Sequence, residues 1–165
     1  MKSLQVIAAF SLIALAGLAH SQEQDPSKQC FANLEGKSDF SALRTKVALS
    51  DPSNQTLAML SNRSRAKKGE KALISQWSAD VSQCYNLGRD FRQKHSTPQM
   101  LAAQNEMQQT FQDLVLKLYA GKLTYGAFAQ DRAQSLSRFN AMFKQNEQEI
   151  EKNKVAGETV KIKAL

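Results

Sequence analysis

Histidine and cysteine are scarce in this chain, two of each in 165 residues, and each shortage closes a line of chemistry. His20 sits in an apolar leader, which leaves His95 as the one imidazole downstream of it. A Ser-His or Cys-His site needs a base held beside a nucleophile. No GxSxG is present, and one histidine gives such a site little to work with. Cys30 and Cys84 are too far apart for a CxxC redox pair, and a zinc site would need two or more further ligands. GxGxxG, a Walker loop, HExxH, an EF-hand loop and CxxCH are all missing. So is ExxH, which carboxylate-bridged metal bundles carry on two of their helices. No catalytic residue, cofactor or metal is assigned on this reading. Asp80, Asp90, Glu106 and Asp113 are taken as solvated helix positions, and His95 as a partner for carbonyls at a helix end. Met100, Met107 and Met142 are taken as core fillers.

Long apolar runs are also missing, with one exception. Residues 6–17 are uncharged and almost wholly apolar, behind the positive start Met1-Lys2-Ser3. Ala19 and Ser21 then stand two apart, the small-residue spacing of a signal-peptidase site, before an abruptly polar segment. The run is shorter than the roughly 20 residues a spanning helix needs. The pattern predicts a cleaved secretory signal over residues 1–21 and no transmembrane segment after cleavage. The product would be exported: periplasmic in a Gram-negative source, secreted otherwise. In such a compartment an even cysteine count favours a disulfide, and with two cysteines the pairing can only be Cys30 with Cys84.

Downstream of the leader the patterning is helical. Residues 22–37 read as an irregular lead segment. A helical domain then covers 38–151, and 152–165 reads as a polar tail. Phe40, Leu43 and Val47 start the helical spacing, and Asp51-Pro52-Ser53 stops it. Leu57 and Leu60 mark the inner side of a short turn. Leu73, Trp77, Val81, Cys84, Gly88 and Phe91 recur at four and three, predicting one helix over about 69–95 with Cys84 on its buried face. Gly88 in that stripe points to close approach of another segment. A helix over about 98–120 follows, then Gly121 as its terminal cap and Thr124 capping a helix to about residue 151. So short a link makes these two helices antiparallel neighbours. The fold class is all-α: a small bundle of four helices, one of them short or broken, stapled by one disulfide.

Charge is the remaining signal, with 22 Lys and Arg against 15 Asp and Glu. Arg63, Arg65, Lys67, Lys68 and Lys71 crowd the entry to the 69–95 helix. The interhelical link 119–126 holds two tyrosines and two glycines, and Tyr119 and Tyr125 serve there either as staples or as recognition residues. Together these seven residues form the candidate interaction surface. The function read from them is a noncatalytic exported adaptor or accessory module. Its partner is an unidentified protein or an anionic component of the envelope, with no specific nucleic acid expected. A periplasmic chaperone-like holdase and a small enzyme or cofactor-binding bundle are the alternatives.

Overall fold

The computed structural model describes residues 23–163, with side-chain surroundings through Asn153. The leader expected at 1–21 lies outside the described residues. The Asp25 side chain accepts a hydrogen bond from the Ser27 amide at 2.9 Å, and Pro26 follows it with a backbone angle already helical. The result is α1 (Pro26–Gly36). The expected irregular segment is thus largely helical. Ser27 and Leu34 of this helix are buried, and Cys30 and Phe31 between them pack against the core at helical spacing.

Six more helices follow among the described residues: α2 (Ser41–Arg44), α3 (Leu57–Leu60), α4 (Lys71–Leu87), α5 (Arg89–His95), α6 (Pro98–Tyr119) and α7 (Tyr125–Lys163). The expectation of four helices is therefore wrong; the chain forms an all-α bundle of seven, stapled by a disulfide. The three additional helices are α1, the one-turn α3, and α5, split from α4 by a break in the expected 69–95 helix; two other bounds also move. The stretch from Ser38 supports only a 3-10 turn and the single turn of α2 before the chain goes irregular. The expected 69–95 helix divides at Gly88, where a Cβ would sit 2.9 Å from Ser27 Cβ and 2.5 Å from Asp25 Oδ1. The start of α1 presses into that gap. At the other end, residues expected as tail continue α7 to Lys163. An apolar stripe is needed to dock a helix. A helix already nucleated can propagate without one, here through Lys152, Lys154, Ala156 and Glu158 and past the weaker formers Gly157 and Thr159.

Long elements build the body. α1 packs on α4, α4 on α6, and α6 on α7. The Cys30–Cys84 disulfide joins α1 to α4 with Cα atoms 5.2 Å apart. Trp77 occupies the centre, fully buried, edge-on to Phe111 at 5.5 Å and to Phe128 at 5.8 Å.

Between α2 and α3 the chain drives Val47, Ala48 and Leu49, non-helical, into this core. Buried backbone outside regular structure must find partners elsewhere. Most come from three helices, and Gln55 Oε1, in the loop itself, accepts from the Ala48 amide at 3.1 Å. Glu35 Oε1 on α1 accepts from the amides of Leu49 and Ser50, at 2.9 and 3.0 Å. Trp77 Nε1 on α4 donates to the Leu49 carbonyl at 2.9 Å. Arg132 on α7 donates to the Ala48 carbonyl at 2.5 Å and the Ser50 carbonyl at 3.5 Å. The strap is held by side chains, not by a ladder.

Two further expectations need correction. Leu57 is 82% exposed, because α3 is one turn long and docks on α7 by other atoms. Asp80 is only 8% exposed; it accepts from Lys37 Nζ at 2.6 Å and from Gln76 Nε2 at 2.8 Å, a buried carboxylate held by an exposed lysine and not a solvated charge. Met100 is buried, while Met107 and Met142 are half-buried.

Candidate functional site: a basic loop docked on a helix turn

Residues 61–71 carry five basic side chains and one acid, Glu70. They leave α3, run irregularly and enter α4 through a 3-10 turn at Lys68–Glu70. The α6–α7 link lies far along the chain but beneath this loop in space. Gly121 takes a left-handed φ of 69°, a conformation that glycine reaches without steric cost. Thr124 then caps α7, accepting from the Ala127 amide at 3.1 Å.

The loop is fastened to that turn by backbone. The Tyr125 amide donates to the Ser64 carbonyl at 2.9 Å, and the Gly126 amide to the Asn62 carbonyl at 2.7 Å. Arg65 and Thr124 form an isolated antiparallel bridge, and an Arg65 guanidinium nitrogen donates to the Gly121 carbonyl at 2.6 Å. Lys71 Nζ lies 5.0 Å from the centre of the Tyr119 ring, a cation–π contact. Two sequence features that stood about fifty residues apart are one surface.

The seven candidate residues divide by what they touch. Tyr125 is fully buried; its hydroxyl donates to Glu70 Oε2 at 3.0 Å, and Lys46 Nζ lies 4.7 Å over its ring. It is a staple, unavailable to a partner. Tyr119 is 41% exposed and lies under Lys71. Arg65 and Lys71 are engaged with the turn. Arg63, Lys67 and Lys68 are exposed and make no ion pair among the described residues.

Glu70 does not cancel this charge outward, because it is turned in. Burial raises its pKa, but hydrogen bonds from Lys46 Nζ, the Lys67 amide and the Tyr125 hydroxyl outweigh that and hold its carboxyl below the usual range. Burial, and then the Glu70 carboxylate, push the Tyr125 phenol well above its ordinary value. Lys117 and Lys122, at the end of α6 and in the turn, add exposed cations beside it. Sequence reasoning left those two out, although their position one turn either side of Tyr119 was readable.

Elsewhere, the exposed His95 contacts the Glu23 carboxylate at 3.3 Å and stacks on Phe91 at 4.3 Å, rather than turning to helix-end carbonyls. Among the described residues no three His, Cys, Asp or Glu side chains converge to hold a metal ion, and no helix is long and apolar enough to cross a membrane. Comparison with protein-family models, with curated proteins and with solved structures finds no match for this chain.

Proposed function

We propose that this chain is an exported, noncatalytic interaction module whose docked basic loop meets an acidic surface, either of a partner protein or of an anionic envelope component. What carries the reading is the division of labour within one charged patch. Arg65, Lys71 and Tyr125 fasten the loop, and Arg63, Lys67 and Lys68 are left facing outward without an ion pair among the described residues. Cations presented on a fixed backbone steer an anionic partner and define its register better than the same charges on a floppy chain. The export part rests on the leader pattern of residues 1–21.

The holdase alternative needs an extended exposed apolar groove. One apolar recess among the described residues measures about 300 Å³, a size that suits one small ligand. The interaction reading is tested by affinity capture with the purified protein and with an Arg63→Glu, Lys67→Glu, Lys68→Glu variant. A specific partner retained by the first and lost by the second supports it. Equal capture by both sinks it. N-terminal sequencing of protein recovered from its source tests export: a start after residue 21 supports it, and an intact Met1 on the bulk product refutes it.

A further inference from the structure

Residues of α4, α6 and α7, with Phe31 of α1 and Arg92 of α5, line a half-open cavity of about 300 Å³. Phe31, Val81, Phe111, Leu136 and Phe139 supply most of its wall. A cavity of this size lies at the small end of ligand sites. Neutral polar residues complete the lining, and its charged groups are of one sign.

Two arginines, Arg92 and Arg132, line it, and no aspartate or glutamate does. Both are buried, at 8% and 5% exposure, and neither makes an ion pair among the described residues. Arg132 donates only to the carbonyls of the buried strap, with the rings of Trp77, Phe111 and Phe128 5.3–5.6 Å from its guanidinium carbon. Arg92 donates to the Tyr85 carbonyl and lies 3.9 Å from the centre of that ring. Burial lowers the Arg132 pKa to about 10, against the pull of Glu35 and Asp51, so the group stays cationic at neutral pH. Gln104, also in the wall, has a buried amide oxygen with no hydrogen-bond partner among the described residues.

Two buried guanidinium groups that form no ion pair among the described residues, with Glu35 and Asp51 acting on Arg132 only from a distance, are costly to a merely structural core. We propose that this cavity binds a small amphipathic carboxylate, a medium-chain fatty acid in chemical class. The apolar wall takes its chain, and the Arg92–Arg132 pair faces its anionic head. Charge complementarity selects the occupant: a carboxylate supplies the direct ion pair that neither guanidinium makes among the described residues, and a neutral apolar molecule does not. The proposal is independent of the basic loop and of its partner.

The test uses the full chain and sodium decanoate below its micellar range. Binding is followed by calorimetry and by the fluorescence of Trp77, the chain's one tryptophan, which abuts Arg132. Saturable binding is expected, with decanol weaker by about tenfold or more, the scale of one lost charge-assisted hydrogen bond. Arg92→Met should weaken decanoate by a similar factor and leave decanol unchanged. Leu136→Trp, which fills the cavity from a half-buried position, should abolish binding while the variant still unfolds cooperatively. Arg132→Met is avoided because the strap depends on it. No saturable decanoate binding would overturn the proposal, and so would equal affinity for acid and alcohol. Unchanged binding in Leu136→Trp would also overturn it, as would binding that appears only after residues 154–165 are removed, which would make the occupant the chain's own end.

Discussion

Replacing Gly126 with alanine puts one methyl group where the loop and the turn are in contact. A Cβ built there lies 2.7 Å from the carbonyl oxygens of both Leu60 and Asn62 and 2.9 Å from the Asn62 amide nitrogen. All three are backbone atoms, so no side chain can swing aside. Relief requires the 60–62 segment to withdraw by about 0.7 Å, to ordinary van der Waals distance. That movement weakens the Gly126 amide's hydrogen bond to Asn62 and, one residue along, Tyr125's to Ser64. Overpacking of this kind costs about 1–3 kcal/mol, and each weakened hydrogen bond about 0.5–1.5 kcal/mol. Alanine's better helix propensity returns at most about 1 kcal/mol, less in a first turn. The net is a loss of about 1–5 kcal/mol, a fall in melting temperature of roughly 3–15 °C for a chain of this size. Gly36→Ala is the matched control. Nothing lies within 4 Å of its added Cβ, so the same substitution should be neutral or stabilising by up to about 1 kcal/mol. Thermal unfolding of both variants checks the numbers, and hydrogen exchange at the Tyr125 and Gly126 amides locates the effect. A Gly126→Ala protein as stable as the parent, with those amides still protected, would refute the docked-loop geometry.

Three other outcomes follow from the same contacts. Cys30→Ala with Cys84→Ala opens a link across a separation of 54 residues and should cost about 2–4 kcal/mol, measured by denaturant unfolding of the double variant against the parent under nonreducing conditions. Trp77→Phe removes buried volume and leaves the Leu49 carbonyl without its donor; a loss of about 2–4 kcal/mol is expected in the same assay. Glu70 has a folded pKa below its unfolded one, so the stability it contributes is present above the unfolded carboxyl range and is lost as pH falls through the lowered folded value. Glu70→Gln should therefore be less stable at neutral pH and show a shallower loss on acidification, read from melting temperature against pH.

Much of the body was legible because burial wrote itself as spacing. The stripe through Trp77, Val81 and Cys84 located the core face of α4 and set Cys84 where the disulfide forms. Gly121 and Thr124 announced the α6–α7 turn through their backbone and capping chemistry. α1 was missed although Ser27, Cys30, Phe31 and Leu34 stand at helical spacing, because only Phe31 and Leu34 of them are large and apolar. The buried strap was missed because its order comes from Glu35, Trp77 and Arg132, partners 14 to 84 residues away. No local pattern encodes contacts of that range. The same limit hid the cavity: Arg92 and Arg132 look like surface charges until α4, α6 and α7 close around them. For the candidate surface, the residue types were visible. What was not visible was the juxtaposition of loop and turn, or that Tyr125 points inward.

The most direct test of the proposed function compares two charge reversals of equal size. One replaces Arg63, Lys67 and Lys68 with glutamate on the docked loop; the other replaces Arg138, Lys144 and Lys152, exposed cations on α7. Affinity for the captured partner, measured across salt concentration, separates a placed surface from general basicity. The account predicts that only the loop variant loses binding and its salt dependence. Equal loss in both variants would contradict it.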